Sequence, residues 1–445
     1  MSVAMYATHP DNVVRERGIA MQRREFLLGA GLAGLGLVLA GCTGAGSPSP
    51  GKGGAIQFFN DAASWGPGYE SAGAELVKKT GWSIDPQTIP NATAYEQVVR
   101  SLLQTKNPPD LVKWGSGFRM QDLARTGGLA DLTSAWEASV AQGWLDDSLR
   151  SAFTFRDGVY GLPLIQGFYV MFYNVAVFDR LGLSVPTTWD AFIDVCETLK
   201  AAGITPIGTT QVNIWPVANW FSMLSTAYDP EWFVRLCENR ASFQDEEAEG
   251  LMTLWQEMIG KGYHTSADSL SDNFAGMLQN EKIGMWPTPV SWSSQNLQKL
   301  GMKSGEDYDA FLLPMVNSDP QAVVTEVAGL VVPQRSPHVA GVTKAMGSWL
   351  DPQVQQPWSD FLSGSSANPT VKWTDKISQR LQTEIRRDQV QVVNRYWEAS
   401  PPPLVVGVTQ DLGGFMANPT DPAGVLRSLQ QKAESEWSYW TEATR

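Results

Sequence analysis

Tryptophan is the side chain in this sequence best suited to bind something. There are 18, and several stand beside turn-forming residues: Trp65 in DAASWGPG, Trp114 in WGSGF, Trp215 in NIWP, and Trp286 and Trp292 in WPTPVSW. Flat indole faces stack on the C–H faces of sugar rings, and aromatic-lined clefts with a few polar groups are common small-molecule sites. Core packing is the competing role for each of them, so position has to decide. The remaining reactive side chains assemble no catalytic set. Beyond residue 50 the only histidines are His264 and His338, each among turn formers, and beyond Cys42 the only cysteines are Cys196 and Cys237. No His-Glu-x-x-His, paired Cys-x-x-Cys or Gly-x-Ser-x-Gly occurs, so zinc, thiol and serine-triad chemistry lack their parts. No catalytic residue, metal or cofactor is expected. Carboxylates are plentiful, and a glycosidase working through two of them is the enzymatic alternative.

The elements that must position the tryptophans alternate. Ala55–Asn60 reads as a buried strand, and a helical segment follows, through Val77 to Thr80, and stops at Gly81. Trp82–Ile89 is a second strand. Tyr95, Val98, Val99, Leu102 and Leu103 keep helical spacing until Asn107-Pro108-Pro109, and Asp110–Trp114 is a third strand. Strand–helix–strand order implies an open α/β sheet, where ligands bind beyond the carboxyl ends of the strands. Trp65 and Trp114 fall in those exit loops, with Ser64 and Ser116.

Tyr160–Ile165 and Phe168–Asn174 read as two extended runs with Gln166-Gly167 between them. Thr187 is the predicted N-cap of a helix whose apolar face holds Trp189, Phe192, Ile193, Cys196 and Leu199 and which Gly203 closes. Ile204–Thr209 is again strand-like. In the loop expected after it, Trp215 before Pro216 is the exposed tryptophan and Trp220 the packed one. Cys196 and Cys237 both lie in predicted helices, and a disulfide and two buried thiols fit equally.

Phe26–Gly41 is a run of sixteen apolar or small residues behind Arg23-Arg24. Roughly 20 apolar residues are needed to cross a bilayer, so this pattern is that of an export signal rather than a span. Gln22-Arg23-Arg24-Glu25-Phe26-Leu27-Leu28 resembles a twin-arginine signal, whose cargo usually crosses folded. Leu39-Ala40-Gly41-Cys42 resembles the bacterial lipobox, in which the cysteine carries the lipid. A signal over residues 1–41, lipidation of Cys42 and a flexible tether over 42–54 (TGAGSPSPGKGG after the cysteine) are the expectation. The chain would then sit on the outer face of the cytoplasmic membrane. The true start is Met1 or Met21.

Residues 1–41 carry four of the 33 Lys/Arg and three of the 46 Asp/Glu, leaving 29 against 43, a net of −14. Without basic clusters, nucleic acid and phosphate-rich partners are excluded. About 400 mature residues exceed one core and suggest two lobes.

The succession of segments resembles the extracellular solute-binding proteins of ABC importers, in the family that includes maltose- and oligosaccharide-binding proteins. The segments that carry it are Asn107–Val112, Thr126–Leu132, Gly158–Pro163 with Phe172-Tyr173-Asn174, Pro186–Trp189, Phe274–Met285 and Gly329–Pro333. Asn-Glu-Lys-Ile-Gly-Met at 280–285 departs from the family's usual motif. The resemblance spans nearly all of 55–440. It implies an α/β fold of two lobes, 55–164 plus 315–350 and 165–314 plus 351–445, closing by hinge motion on a solute in the interlobe cleft. It places Trp65, Trp114, Ser116, Gln166, Phe168, Trp215, Trp286, Trp292 and Trp397 at that cleft. It implies a monomeric receptor that hands a sugar or oligosaccharide to permease subunits. A non-carbohydrate solute is the alternative within the family. The last helix, Pro422 to Trp440, has Val425, Leu426, Leu429, Ala433, Trp437 and Trp440 on one packing face.

Overall fold

The computed structural model describes residues 53–444, apart from Asn91, Ile214, residues 318–320 and the side chains of 92–93, 292–294 and 442–444. The predicted signal, Cys42 and the tether as far as residue 52 lie outside the described residues.

The strands are β1 (Ala55–Asn60), β2 (Ser83–Thr88), β3 (Leu111–Gly115), β4 (Thr154–Phe155), β5 (Gly158–Val159), β6 (Leu162–Asn174), β7 (Thr205–Ile207), β8 (Ile283–Pro289), β9 (Tyr308–Phe311), β10 (Ala322–Val331) and β11 (Gln391–Asn394). β4 and β5 form a small separate hairpin. The others make one sheet in the order β2-β1-β3-β10-β6-β8-β7, with β11 on β10 and β9 on β6. β1 is parallel to β2 and β3, and β7 to β8, while β10 and β6 run antiparallel to their neighbours along this path.

β6 is where sequence and structure part. Instead of two runs split at Gln166-Gly167 it is one strand of 13 residues. Gln166 and Gly167 stay extended because β10 pairs across them, Val327 opposite Gln166 and Glu326 opposite Gly167. The first part of β6 belongs with β1, β3 and β10, and the second with β8 and β9. The sheet therefore has two halves that share a strand.

Each half is covered on both faces. In the first, Phe58, Leu162 and Leu330 pack with Tyr69 and Trp358 on one side; Val112, Trp114 and Val331 pack with Tyr95, Val99 and Met120 on the other. In the second, side chains alternate along β6 as the pleat requires. Tyr169, Met171 and Tyr173 join Trp220, Trp255 and the C-terminal helices, while Phe168, Val170 and Phe172 join Trp286, Tyr308 and Leu381. The last helix, Pro422–Thr444, buries Leu426, Leu429, Ala433, Trp437 and Trp440, the face its spacing predicts. Its Trp437 and Trp440 receive the edge of Phe118 from helix Gly117–Ala124 of the first half, with centroids 5.2 and 5.1 Å apart.

Local departures are small. Thr188, not Thr187, caps helix Trp189–Ala201, because its hydroxyl accepts from the Ala191 amide at 3.2 Å. The strand after Gly203 shrinks to Thr205–Ile207. Trp215 opens helix Trp215–Tyr228 and is half-buried. Helix Pro352–Phe361 packs on helix Gly66–Thr80, with Trp358 stacked on Tyr69 at 5.0 Å. Its contacts thus lie in the first half, although chain order beyond residue 350 puts it with the second. Cys196 and Cys237 are buried free thiols, and burial pushes both well above the usual thiol range. Among the described residues no helix is long and apolar enough to cross a membrane.

Candidate functional site

Register alone locates the place where a crevice is expected. β1 and β3 run parallel and end at Asn60 and Gly115; β7 and β8 run parallel in the other half and end at Ile207 and Pro289. Pro289 lies opposite Tyr169 of β6, two residues beyond Gly167. The carboxyl ends of β3 and β8 thus approach the stretch where β6 passes from one half to the other, the topological position at which open α/β sheets bind ligands.

From the first half, Asp61 follows β1 and Lys113 stands at the middle of β3. Lys113 Nζ donates to Asp61 Oδ1 at 2.6 Å and lies 5.3 Å from the centre of the Trp65 ring. Trp65 is 6 % exposed, in edge contact with Tyr69 and Trp358. Ser116 precedes helix Gly117–Ala124 and is buried. Gly117 has φ +56°, and an added Cβ would run into the Glu398 carbonyl, so here only glycine lets the two backbones approach.

From the second half come Trp215 and Trp397, with ring centroids 4.0 Å apart at 43°. Each carries a guanidinium: Arg395 lies 5.4 Å from the Trp215 ring, and Arg119 of the first half lies 5.4 Å from the Trp397 ring. Arg119 also pairs with Glu96 and sits 5.7 Å from Trp114.

Behind this pair lies a buried polar cluster. Arg395 grips Glu398 with two bonds of 2.5 and 2.6 Å, and its Nη1 reaches Glu326 Oε2 at 2.8 Å and the Tyr169 hydroxyl at 2.7 Å. The Tyr169 hydroxyl donates to the same Glu326 oxygen at 3.0 Å. Burial alone would lower the Arg395 pKa, but Glu398, Tyr169 and Glu326 outweigh it and hold it above the usual arginine range. Burial pushes the Tyr169 phenol up, with Arg395 opposing and Glu326 adding to the rise. The phenol stays protonated and the guanidinium charged.

The predicted residues separate on this map. Trp215 and Trp397 come together; Trp65, Ser116, Gln166 and Phe168 lie at strand ends or at the crossing. Trp114 and Trp286 do not line an open wall, and Trp397, at 4 % exposure, is as covered as they are, while Trp215 is half-buried. Trp114 is 3 % exposed, packs on Tyr95 and has Arg100 and Arg119 against its ring. Trp286 lies opposite Phe172 within β8 and packs on Phe274. Trp292 falls in helix Val290–Lys299, and its side chain lies outside the described residues. Arg119, Glu326, Glu398, Tyr169, Asp61 and Lys113 went unremarked as site residues. For Glu326 a signal existed: it is the one charge in Ala322–Val331, and a buried charge needs a partner. Neither histidine belongs to the site. His338 Nδ1 lies 3.1 Å from Asp110, and the ring nitrogens of His264 have no partner among the described residues. Burial lowers the His264 pKa to about 3. The described residues contain no group of histidine, cysteine and carboxylates that could hold a metal ion.

Residues 62–356 match the model of the bacterial extracellular solute-binding protein family. A protein of Brucella suis biovar 1 named "Probable sugar-binding periplasmic protein" is 25 % identical over 268 residues, 56 % of this chain and 61 % of that protein. The match therefore spans less than two thirds of that relative. The bacterial solute receptor AcbH, described as having an exclusive preference for β-D-galactopyranose, superposes with a TM-score of 0.77 at 20 % identity, covering 86 % of this chain and 99 % of AcbH. An ABC substrate-binding protein of Listeria monocytogenes, solved with cycloalternan, gives a TM-score of 0.70 at 15 % identity, covering 87 % and 99 %. At these identities the two structures speak for the fold alone, a mixed α/β architecture shared with solute-binding proteins.

Proposed function

Because the chain belongs to the bacterial extracellular solute-binding protein family, we propose that it captures a sugar or oligosaccharide in the crevice at the β6–β10 crossing and delivers it to an ABC permease. The observation that carries this reading is the Trp215–Trp397 pair, flanked by Arg395 and by Arg119 from the facing half. It joins aromatic faces to hydrogen-bonding groups at the position where such a sheet receives ligands. Trp65, Ser116, Gln166, Phe168, Trp215, Trp292 and Trp397 are the proposed solute contacts, with Trp114 and Trp286 supporting them from behind.

The function is binding without chemistry. Contacts made only when the halves close favour the closed state, and the solute shifts the equilibrium by its differential affinity. The lobes follow the proposed division at 55–164 plus 315–350 and 165–314 plus 351–445, with helix Pro352–Phe361 moving with the first. Lipidation of Cys42 would hold the receptor, a monomer, beside its permease on the outer face of the cytoplasmic membrane. At least two acyl chains are needed for stable anchoring.

The test is a thermal-shift and tryptophan-fluorescence screen against mono- and oligosaccharides. Binding raises the melting temperature by mass action, and a panel without any shift or quenching defeats the reading. Cys42→Ala should release the protein into the medium; continued membrane retention would defeat the anchor.

A further inference from the structure

The position above Gly167 is a place at the crossing where polar groups converge. A methyl added there would lie 3.6 Å from Ser291 Oγ, 3.6 Å from Glu326 Cγ and 3.7 Å from Glu326 Oε1. The other Glu326 oxygen is committed to Tyr169 and Arg395. Among the described residues, Oε1 makes no hydrogen bond. Ser291 is 1 % exposed, but neither its hydroxyl nor Glu326 Oε1 is among the fully enclosed side-chain atoms that lack a partner. Polar atoms that keep access to water can exchange that water for a polar group of a ligand.

We propose that this niche is a solute subsite, in which Glu326 Oε1 and Ser291 Oγ receive a hydrogen-bond donor carried on the bound ring. Glycine at 167 leaves the room that donor occupies. The cluster behind it sets one guanidinium, Arg395, against two carboxylates, Glu326 and Glu398. Its surplus charge is negative. A hydroxyl or an ammonium is accepted at this point, and a carboxylate or phosphate is rejected by like charge. The subsite thus selects neutral and amino sugars against uronates and phosphosugars. This inference rests on the proposed reading of the chain as a sugar receptor.

The test is isothermal titration of the purified chain with the gluco- and galacto-series at one, two and four rings, each as neutral sugar, 2-amino sugar and uronate. A neutral or amino member should bind about tenfold or more tighter than its uronate, the worth of one hydrogen bond to a charged group. Gly167→Ala should weaken that binding by about tenfold while the melting temperature stays within about 2 °C of the parent, since the added methyl meets no atom closer than ordinary contact. Ser291→Ala should weaken it several-fold, and Glu326→Gln should narrow the gap to the uronate. A uronate that binds as tightly as its neutral counterpart, or a Gly167→Ala chain that binds like the parent, overturns the subsite and leaves the sugar-receptor reading standing. A panel in which nothing binds removes both.

Discussion

The Arg119 guanidinium and the Trp397 ring meet across the crevice at 5.4 Å, one from the first half of the fold and one from the second. Arg119 is itself steadied by Glu96 and by the carbonyl bond its residue accepts from Trp114 Nε1 at 3.0 Å. The contact ties the two walls together without involving the strands that join them. A cation over an aromatic face is worth about 0.5–2 kcal/mol, more when water is excluded.

Arg119→Ala should therefore lower solute affinity by about three- to thirtyfold and increase the radius of gyration in X-ray scattering. Unchanged affinity and scattering would mean that this contact does not help hold the halves together.

Arg395→Met should be far more damaging. It strands Glu326 and Glu398 without their cation, and breaking a buried pair costs about 3–5 kcal/mol. Urea unfolding at neutral pH measures the loss. Adding Glu326→Gln and Glu398→Gln to Arg395→Met should recover much of it, because the unpaired charges are gone.

His264 gives acid sensitivity with a defined sign. Its folded pKa, about 3, lies below the ordinary histidine value of 6.5, so below pH 6.5 the unfolded chain binds a proton that the folded chain refuses. Stability falls with pH from 6.5 towards 3, by about 1.4 kcal/mol per unit for this group. His264→Phe keeps a ring against Trp220, whose centroid lies 5.2 Å away, and removes the titration. Between pH 7.5 and 5.5 the variant should gain about 1.4 kcal/mol on the parent in urea unfolding; parallel pH profiles would refute the assignment.

Thiol counting checks the middle region. In a Cys42→Ala chain, Cys196 and Cys237 are the only thiols. Both are buried and held protonated by burial, so neither should react with a disulfide reagent in the native state. Two should react in guanidinium. Zero after unfolding would reveal a disulfide.

Local pattern carried much of this fold. Gly81 stops its helix where expected, at φ +76°, and the Leu426–Trp440 stripe buries as its spacing requires. Where pattern misled, long-range pairing had overruled it. Gln166-Gly167 looks like a turn until β10 arrives from more than 150 residues away and holds it extended. Trp215, which stands before a proline and looked exposed, is covered by Trp397, a neighbour that nothing local announces. The charged part of the site was legible only in Glu326, conspicuous in an apolar strand; Arg119 and Glu398 lie in ordinary polar surroundings and acquire meaning only from what faces them. Trp114 shows the converse, since a strand-end position marks a crevice but does not decide which way the side chain turns.

The continuity of β6 has a mechanical consequence. A flexible linker would let the two halves wander in orientation, but here they share a strand that is paired in register with β10 at Gln166, Gly167 and Phe168. Sliding paired strands by one residue would throw every side chain to the opposite face, so slippage is forbidden while twist and bend remain cheap. The crossing works as a leaf spring. In the proposed closing motion it would guide Arg119 back to Trp397 in the same alignment.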